Sequence, residues 1–353
     1  NTNINNFTAS GDLITIGGAI VAGGTVSLTS TGANSGNGDV SGSDAKIDVN
    51  AAITAAQIEL SGVSNTEVPV IDVAGVALTT DGDTGSSTGQ IILQSNGVMV
   101  IDAAATFVGA SGTQEVIFRP EAKTNTIRIG TAGSSSDLDV DLDAISGVQT
   151  TIEQIFIGFS DQSGLTTINH GSAITGIPVD LQVYGSANLH TNLSTSNNGG
   201  LTFAALTLQD NVSLDVGSGT LTLGGLATIG TNNLTVTNAG ILDLDGGISG
   251  STGNVDVTTS TRSDVDGAIA LTGAGTVTLD AATVSGVNIG TGGGAITLGG
   301  AFVTDTGAVE IDATDGGNVA AGANVDFDNT VALGGNLNVD GGTGGNVSFD
   351  NTV

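Results

Sequence analysis

The chain has 353 residues, among them 57 glycines, no cysteine and no tryptophan; 3% are aromatic, and the formal charge is −30. The lack of cysteine excludes disulfides, thiolate zinc sites and iron–sulfur clusters. Five Lys and Arg against 35 Asp and Glu exclude binding to phosphate backbones and to anionic membranes, and no apolar run is long enough for a transmembrane helix. With 39% hydrophobic and 11% charged residues, the chain is also too apolar and too weakly charged to be disordered.

Strand signals run from end to end. Leu13-Ile14-Thr15-Ile16 and Thr25-Val26-Ser27-Leu28 come first, then Leu206-Thr207-Leu208, Leu221-Thr222-Leu223, Leu234-Thr235-Val236 and Leu242-Asp243-Leu244. Val255-Asp256-Val257, Val277-Thr278-Leu279, Ile296-Thr297-Leu298, Val309-Glu310-Ile311 and Leu337-Asn338-Val339 follow. In each, apolar side chains share one face and polar ones the other. Gly-Gly, Asn-Gly, Asp-Gly and Thr-Gly pairs punctuate them, and helical spacing is almost absent.

A longer period lies over these runs. Leu221 recurs as Leu242 and Leu234 as Val255, each 21 residues on, and Asn324-Val325-Asp326-Phe327-Asp328-Asn329-Thr330-Val331 returns after 22 as Asn346-Val347-Ser348-Phe349-Asp350-Asn351-Thr352-Val353. Such a period is the mark of a solenoid. The expected fold is an all-β, right-handed parallel β-helix of about 20 residues per turn, with Phe327 over Phe349 in an internal ladder. At about 4.8 Å per turn the rod would be on the order of 80 Å long. An array of β-sandwich domains is the alternative. Residues 1–353 are read as one continuous solenoid, with an irregular excursion over about 112–184 that holds Arg119, Lys123, Arg128, Pro120, Pro178 and Tyr184. A short helical turn is expected between Asp143 and Phe156.

The excursion also carries a resemblance. Val116-Ile117-Phe118-Arg119-Pro120, Thr126-Ile127-Arg128-Ile129-Gly130, Ile152-Glu153-Gln154-Ile155-Phe156-Ile157-Gly158 and Gly164-Leu165-Thr166-Thr167-Ile168 resemble segments of filamentous-haemagglutinin-like giant bacterial repeat exoproteins. The Asn-Val-(Asp/Ser)-Phe-Asp-Asn-Thr-Val repeat is similar to theirs too. The resemblance implies a right-handed parallel β-helix, export to the bacterial cell surface, and an adhesive or structural role without catalysis. It carries over no active-site residue.

Little in the sequence suggests chemistry. His170 and His190 sit in Asn-, Gly- and Ser-rich surroundings and read as turn residues. No Gly-x-Ser-x-Gly motif sits in a strand-to-helix context. The main alternative function is a carbohydrate-binding or carbohydrate-cleaving β-helix. A lyase would need cations, and the one basic cluster, Arg119, Lys123 and Arg128, is expected to pair with nearby acids such as Glu115 and Glu121. A binding groove would need aromatic walls, of which the sequence offers few. An ice-binding surface would need a regular Thr-x-Thr array, and the outward positions here mix Thr with Asp, Ser and Asn.

Calcium is the one cofactor considered. Asp137, Asp139, Asp141 and Asp143 would share one face of an extended strand, an oxygen-rich set that suits Ca²⁺; the competing reading is that they face water. Asp81-Gly82-Asp83-Thr84-Gly85 matches half of an EF-hand loop and lacks the remaining ligands. The expected partners are more of the same chain or identical subunits stacked head to tail, and a receptor or glycan on a host or neighbouring cell. The start at Asn1 and the stop in mid-repeat at Val353 are read as those of a segment of a longer rod.

Overall fold

The computed structural model describes residues 5–31, 46–63, 70–80, 89–110, 113–130 and 138–353. They form two compact units, Asn1–His170 with Gly176–Gly185, and Gly171–Thr175 with Ser186–Val353. Both are β-solenoids in which strands one turn apart pair in parallel. This parallel pairing, and not the antiparallel pairing of a sandwich array, builds the stacks of the described residues.

In the first unit three strands make a turn, and each stacks on its equivalents. One stack joins Phe7–Gly11, Thr25–Thr31, Gln57–Val63, Gln90–Ser95, Gln114–Pro120, Ile152–Ile157 and the start of Asp180–Leu189. Its inward side carries the column Val26, Ile58, Ile91, Val116, Ile155, Leu181, all of them buried. Each such side chain stabilises the fold by roughly 1.5–3 kcal/mol, set against the entropy of ordering its backbone. The spacing is not a constant 20 residues: Val26 pairs with Ile58 and Ile58 with Ile91, 32 and 33 positions on. Stacking requires only that the strands coincide, so the extra residues fall in the connections between them.

The second stack of this unit departs from chain order. Val98–Ile101 pairs with Leu138–Val140, which pairs with the earlier strand Ile127–Gly130, which in turn pairs with Thr166–Asn169. The one helix among the described residues, Leu142–Ser146, follows at once and buries Ala144 and Ile145.

In the second unit the period is regular. The column Val212, Leu234, Val255, Val277, Ile296 advances by 19–22 residues per turn. The next step, Ile296 to Val325, takes 29, because residues 313–324 make a longer connection after Val309–Asp312. Two other columns complete the core, Leu201 to Val331 and Leu206 to Val339. Leu234–Leu244 and Val255–Val265 each bend to serve two stacks, through register shifts after Val236 and Ala239.

Two features at the corners keep these turns in register. The side-chain oxygens of Asn211, Asn233 and Asn254 accept hydrogen bonds at 2.8–2.9 Å from the backbone N–H of Asn233, Asn254 and Thr276, one turn on. Asn324 does the same for Asn346 at 3.0 Å. At the same corner, immediately before Asn254 and Thr276, Gly253, Gly275 and Gly294 approach so closely that a Cβ on Gly275 would lie 2.1 Å from the Gly253 carbonyl oxygen.

Phe327 and Phe349 are register partners whose rings stack at 4.6 Å and 7°. The Phe302 ring meets Phe327 edge-on at 5.3 Å.

Candidate functional site: an aromatic cleft on the outer sheet face

The first stack of the first unit has an outer as well as an inner face. Because Ile91, Leu93, Val116, Phe118, Ile155 and Ile157 point into the core, the residues between them must point out. Register aligns these outward residues into columns. Gln90, Glu115 and Gln154 form one, and Ile92, Ile117 and Phe156 the next. The third contains Gln94 and Arg119. Beyond the registered residues Phe118, Ile157 and Val183 come Arg119, Gly158 and Tyr184. Gly158 therefore brings no side chain to a column in which Arg119 precedes it and Tyr184 follows.

That gap is a cleft of about 310 Å³, lined by Glu115, Arg119, Phe156, Gly158, Phe159 and Tyr184 among others. The Phe156 and Tyr184 rings stack at 5.6 Å and 5°. Gly158 has φ +90°, a conformation few other residues adopt, and it turns the chain so that Phe159 lies under the Arg119 guanidinium, 5.3 Å from ring centre to Cζ. Such a cation–π contact is worth about 0.5–1 kcal/mol at an exposed site. Arg119 is held by its Nε donating to Gln94 Oε1 at 2.9 Å and by Glu59 at 3.5 Å. At the rim, Gln90 Nε2 donates to Glu115 Oε2 at 2.7 Å. Burial, and then the Glu115 charge, push the Tyr184 phenol above its usual value, so it keeps its proton at neutral pH and can donate it in a hydrogen bond.

The ion pairs differ from the sequence expectation. Arg119 meets Glu59, Lys123 meets Asp161 at 2.6 Å, and Arg128 lies 3.9 Å from Asp139; Glu115 and Glu121 are not the partners. A solenoid places residues a turn apart side by side, so neighbours in the chain give way to neighbours in the stack. His190 Nδ1 likewise lies 3.4 Å from Asp210.

The proposed calcium run is not one extended strand. Asp137 lies outside the described residues, as does the segment Asp81 to Gly85. The strand stops at Val140, and Asp143 belongs to the helix. Asp139 is 2% exposed, Asp141 is half-buried, and the Asp141 carbonyl accepts from the Ala144 N–H at 3.2 Å. Alternate carboxylates share a face only while a strand continues. Here burial of Ala144 and Ile145 draws the backbone into a helical turn instead. Among the described residues no three His, Cys, Asp or Glu side chains are grouped to hold a metal ion.

No protein family, curated protein or solved structure matches this chain.

A second cleft, of about 290 Å³, lies in the second unit beside the 313–324 connection and includes Glu310, Asp312 and Asp315. Burial pushes the Asp312 carboxyl up, but hydrogen bonds from the Thr314 hydroxyl and from the Gly316 and Thr314 N–H groups outweigh it and hold the pKa below the ordinary value. These bonds spend the carboxylate on shaping its own loop.

The aromatic cleft is the feature least legible in the sequence. Its signal was present in Ile155-Phe156-Ile157-Gly158: where three apolar residues run through a strand whose outer residues are in the core, the middle one must face out.

Proposed function

We propose that this chain is a structural and adhesive segment of a secreted bacterial surface protein, and that it does no catalysis. The observation that carries the reading is the in-register parallel stacking within each unit. It ties every turn to the turns before and after it and sets the outer side chains on a rigid lattice. A surface of this kind suits mechanical extension and multivalent contact. The charge of −30 keeps strand-rich surfaces from sticking laterally. The resemblance of the 116–168 motifs to filamentous-haemagglutinin-like exoproteins supports export and a place at the cell surface. Further copies of the chain, and receptors or glycans on other cells, are the partners this role implies.

Beads coated with the 353-residue chain test the reading. They should be retained on epithelial or bacterial cell layers well above albumin-coated beads. The same protein should release neither reducing ends nor unsaturated products from a panel of polysaccharides. Turnover of any of them, or retention no greater than albumin's on every cell layer tried, refutes it.

A further inference from the structure

We propose that the cleft between Arg119, Phe159, Phe156 and Tyr184 binds a neutral pyranose ring of a glycan. The inference deepens the adhesive reading and rests on it only for its biological use.

The case begins with composition. The chain has nine Phe and one Tyr, and most of a solenoid's aromatics belong in its core, as Phe107, Phe118, Phe203, Phe302 and Phe327 do. Phe156, Phe159 and Tyr184 are instead half-exposed and gathered around one gap in the outer face. Nothing in the fold requires this: Ser27, Glu59 and Gln182 occupy outward positions in the column of Phe156, and Thr29, Ser61 and Gln94 in the column of Tyr184.

The walls also match the two sides of a sugar ring. A pyranose has an apolar C–H face, which suits the negative face of an aromatic ring, and hydroxyls that need paired donors and acceptors at the edge. The aromatic rings offer the first. The Glu115 carboxylate, the Gln90 amide and the Tyr184 hydroxyl offer the second. The Arg119 guanidinium, held on Gln94 and Glu59, is fixed before a ligand arrives, which lowers the entropic cost of binding. The volume, about 310 Å³, is at the small end of ligand sites and fits one ring better than a folded peptide.

Charge selects among ring-bearing ligands. Glu59 and Glu115 outnumber Arg119 beside the cleft, and the chain as a whole carries −30. Uronates, sulfated sugars and nucleotides are therefore repelled. A cationic ligand would meet the Arg119 guanidinium stacked on Phe159. A neutral hexose or pentose unit meets neither penalty.

Tyr184 supplies its own assay. It is the only tyrosine in a chain without tryptophan, so tyrosine emission reports on the cleft alone. The full chain is titrated with cellohexaose, xylohexaose, mannohexaose and maltohexaose, with polygalacturonate and heparin as anionic probes and choline as a cationic one. At least one neutral hexasaccharide should change the emission saturably below about 10 mM. By calorimetry Phe156→Ala and Tyr184→Ala should each weaken that binding about tenfold or more, the loss of roughly one aromatic contact, while Tyr184→Phe stays within about threefold. Either alanine variant suffices if the other fails to fold, as judged by circular dichroism. No saturable response to any neutral probe, a response only to charged probes, or binding that survives in a folded alanine variant overturns the proposal. Retention of the beads with no response to any neutral glycan would defeat this site and leave the adhesive reading standing. Glycan binding without bead retention would do the reverse.

Discussion

Replacing Phe327 with alanine should be among the most damaging single changes in the second unit. The side chain is 0% exposed, stacked on Phe349 at 4.6 Å and met edge-on by Phe302 at 5.3 Å. Its neighbour one turn earlier is Leu298, which is also buried. Removing a fully buried phenyl ring costs about 3–5 kcal/mol through lost transfer energy and the cavity left behind. Two ring contacts, each worth roughly 0.5–1.5 kcal/mol beyond area, place Phe327→Ala toward the upper part of that range. Phe349 is 42% exposed and contacts one ring, so Phe349→Ala should cost about half as much. Phe327→Leu keeps part of the apolar volume but gives up both ring contacts, so it should cost roughly 1–3 kcal/mol, less than Phe327→Ala. A solenoid unfolds in neighbouring turns and not as one block, so the fitting assay is native-state hydrogen exchange at the amides of Val325–Phe327 and Val331–Leu333. Phe327→Ala should lose the most protection, with Phe349→Ala and Phe327→Leu both below it. If Phe327→Ala changed protection by less than about 1 kcal/mol, or Phe349→Ala cost more than Phe327→Ala, the stacked-core account of this ladder would be wrong.

Two further outcomes follow from the corners and the outer face. Gly275→Ala should destabilise the second unit by about 1–3 kcal/mol, since its Cβ would press on the Gly253 carbonyl oxygen; Gly23→Ala, where a Cβ meets nothing within 4 Å, should be neutral or slightly stabilising, and equal urea midpoints for the two would refute the close-approach argument. Burial, then the charges of Asp245, Asp264 and Asp266, raise the Asp243 carboxyl above its ordinary value despite Arg262. The folded state thus holds this proton more tightly than the unfolded chain, and stability falls as pH rises from the ordinary carboxylate value through the raised one. Asp243→Asn should accordingly raise Tm at about pH 7 and leave it unchanged near pH 3; an equal gain at both would show that charge is not the cause.

The sequence by itself determined the architecture where local pattern and stacking obey the same rule. Alternation in Leu221-Thr222-Leu223 and Leu242-Asp243-Leu244 specifies which side chains turn inward, and their 21-residue spacing specifies that Leu221 pairs with Leu242. The Phe327 to Phe349 register follows from the same recurrence. Period-2 alternation and a fixed repeat are written along one dimension, so they can be read there.

Other features depended on which turns lie side by side, and only the tertiary structure decided them. The 32- and 33-residue steps of the first unit, and the place of Leu138–Val140 between Val98–Ile101 and the earlier strand Ile127–Gly130, left no fixed period to follow. Arg119 has Glu59 as its partner 60 residues away, because stacking sets charges beside each other that the chain keeps apart. The Asp137 to Asp143 pattern promised one carboxylate face, but the strand gives way to a helix after Val140 because burying Ala144 and Ile145 outweighs continued alternation. The cleft was hidden for the same reason. Arg119, Phe156 and Tyr184 stand on three different turns, and the gap they surround exists only because Gly158, on the middle turn, adds no side chain between them.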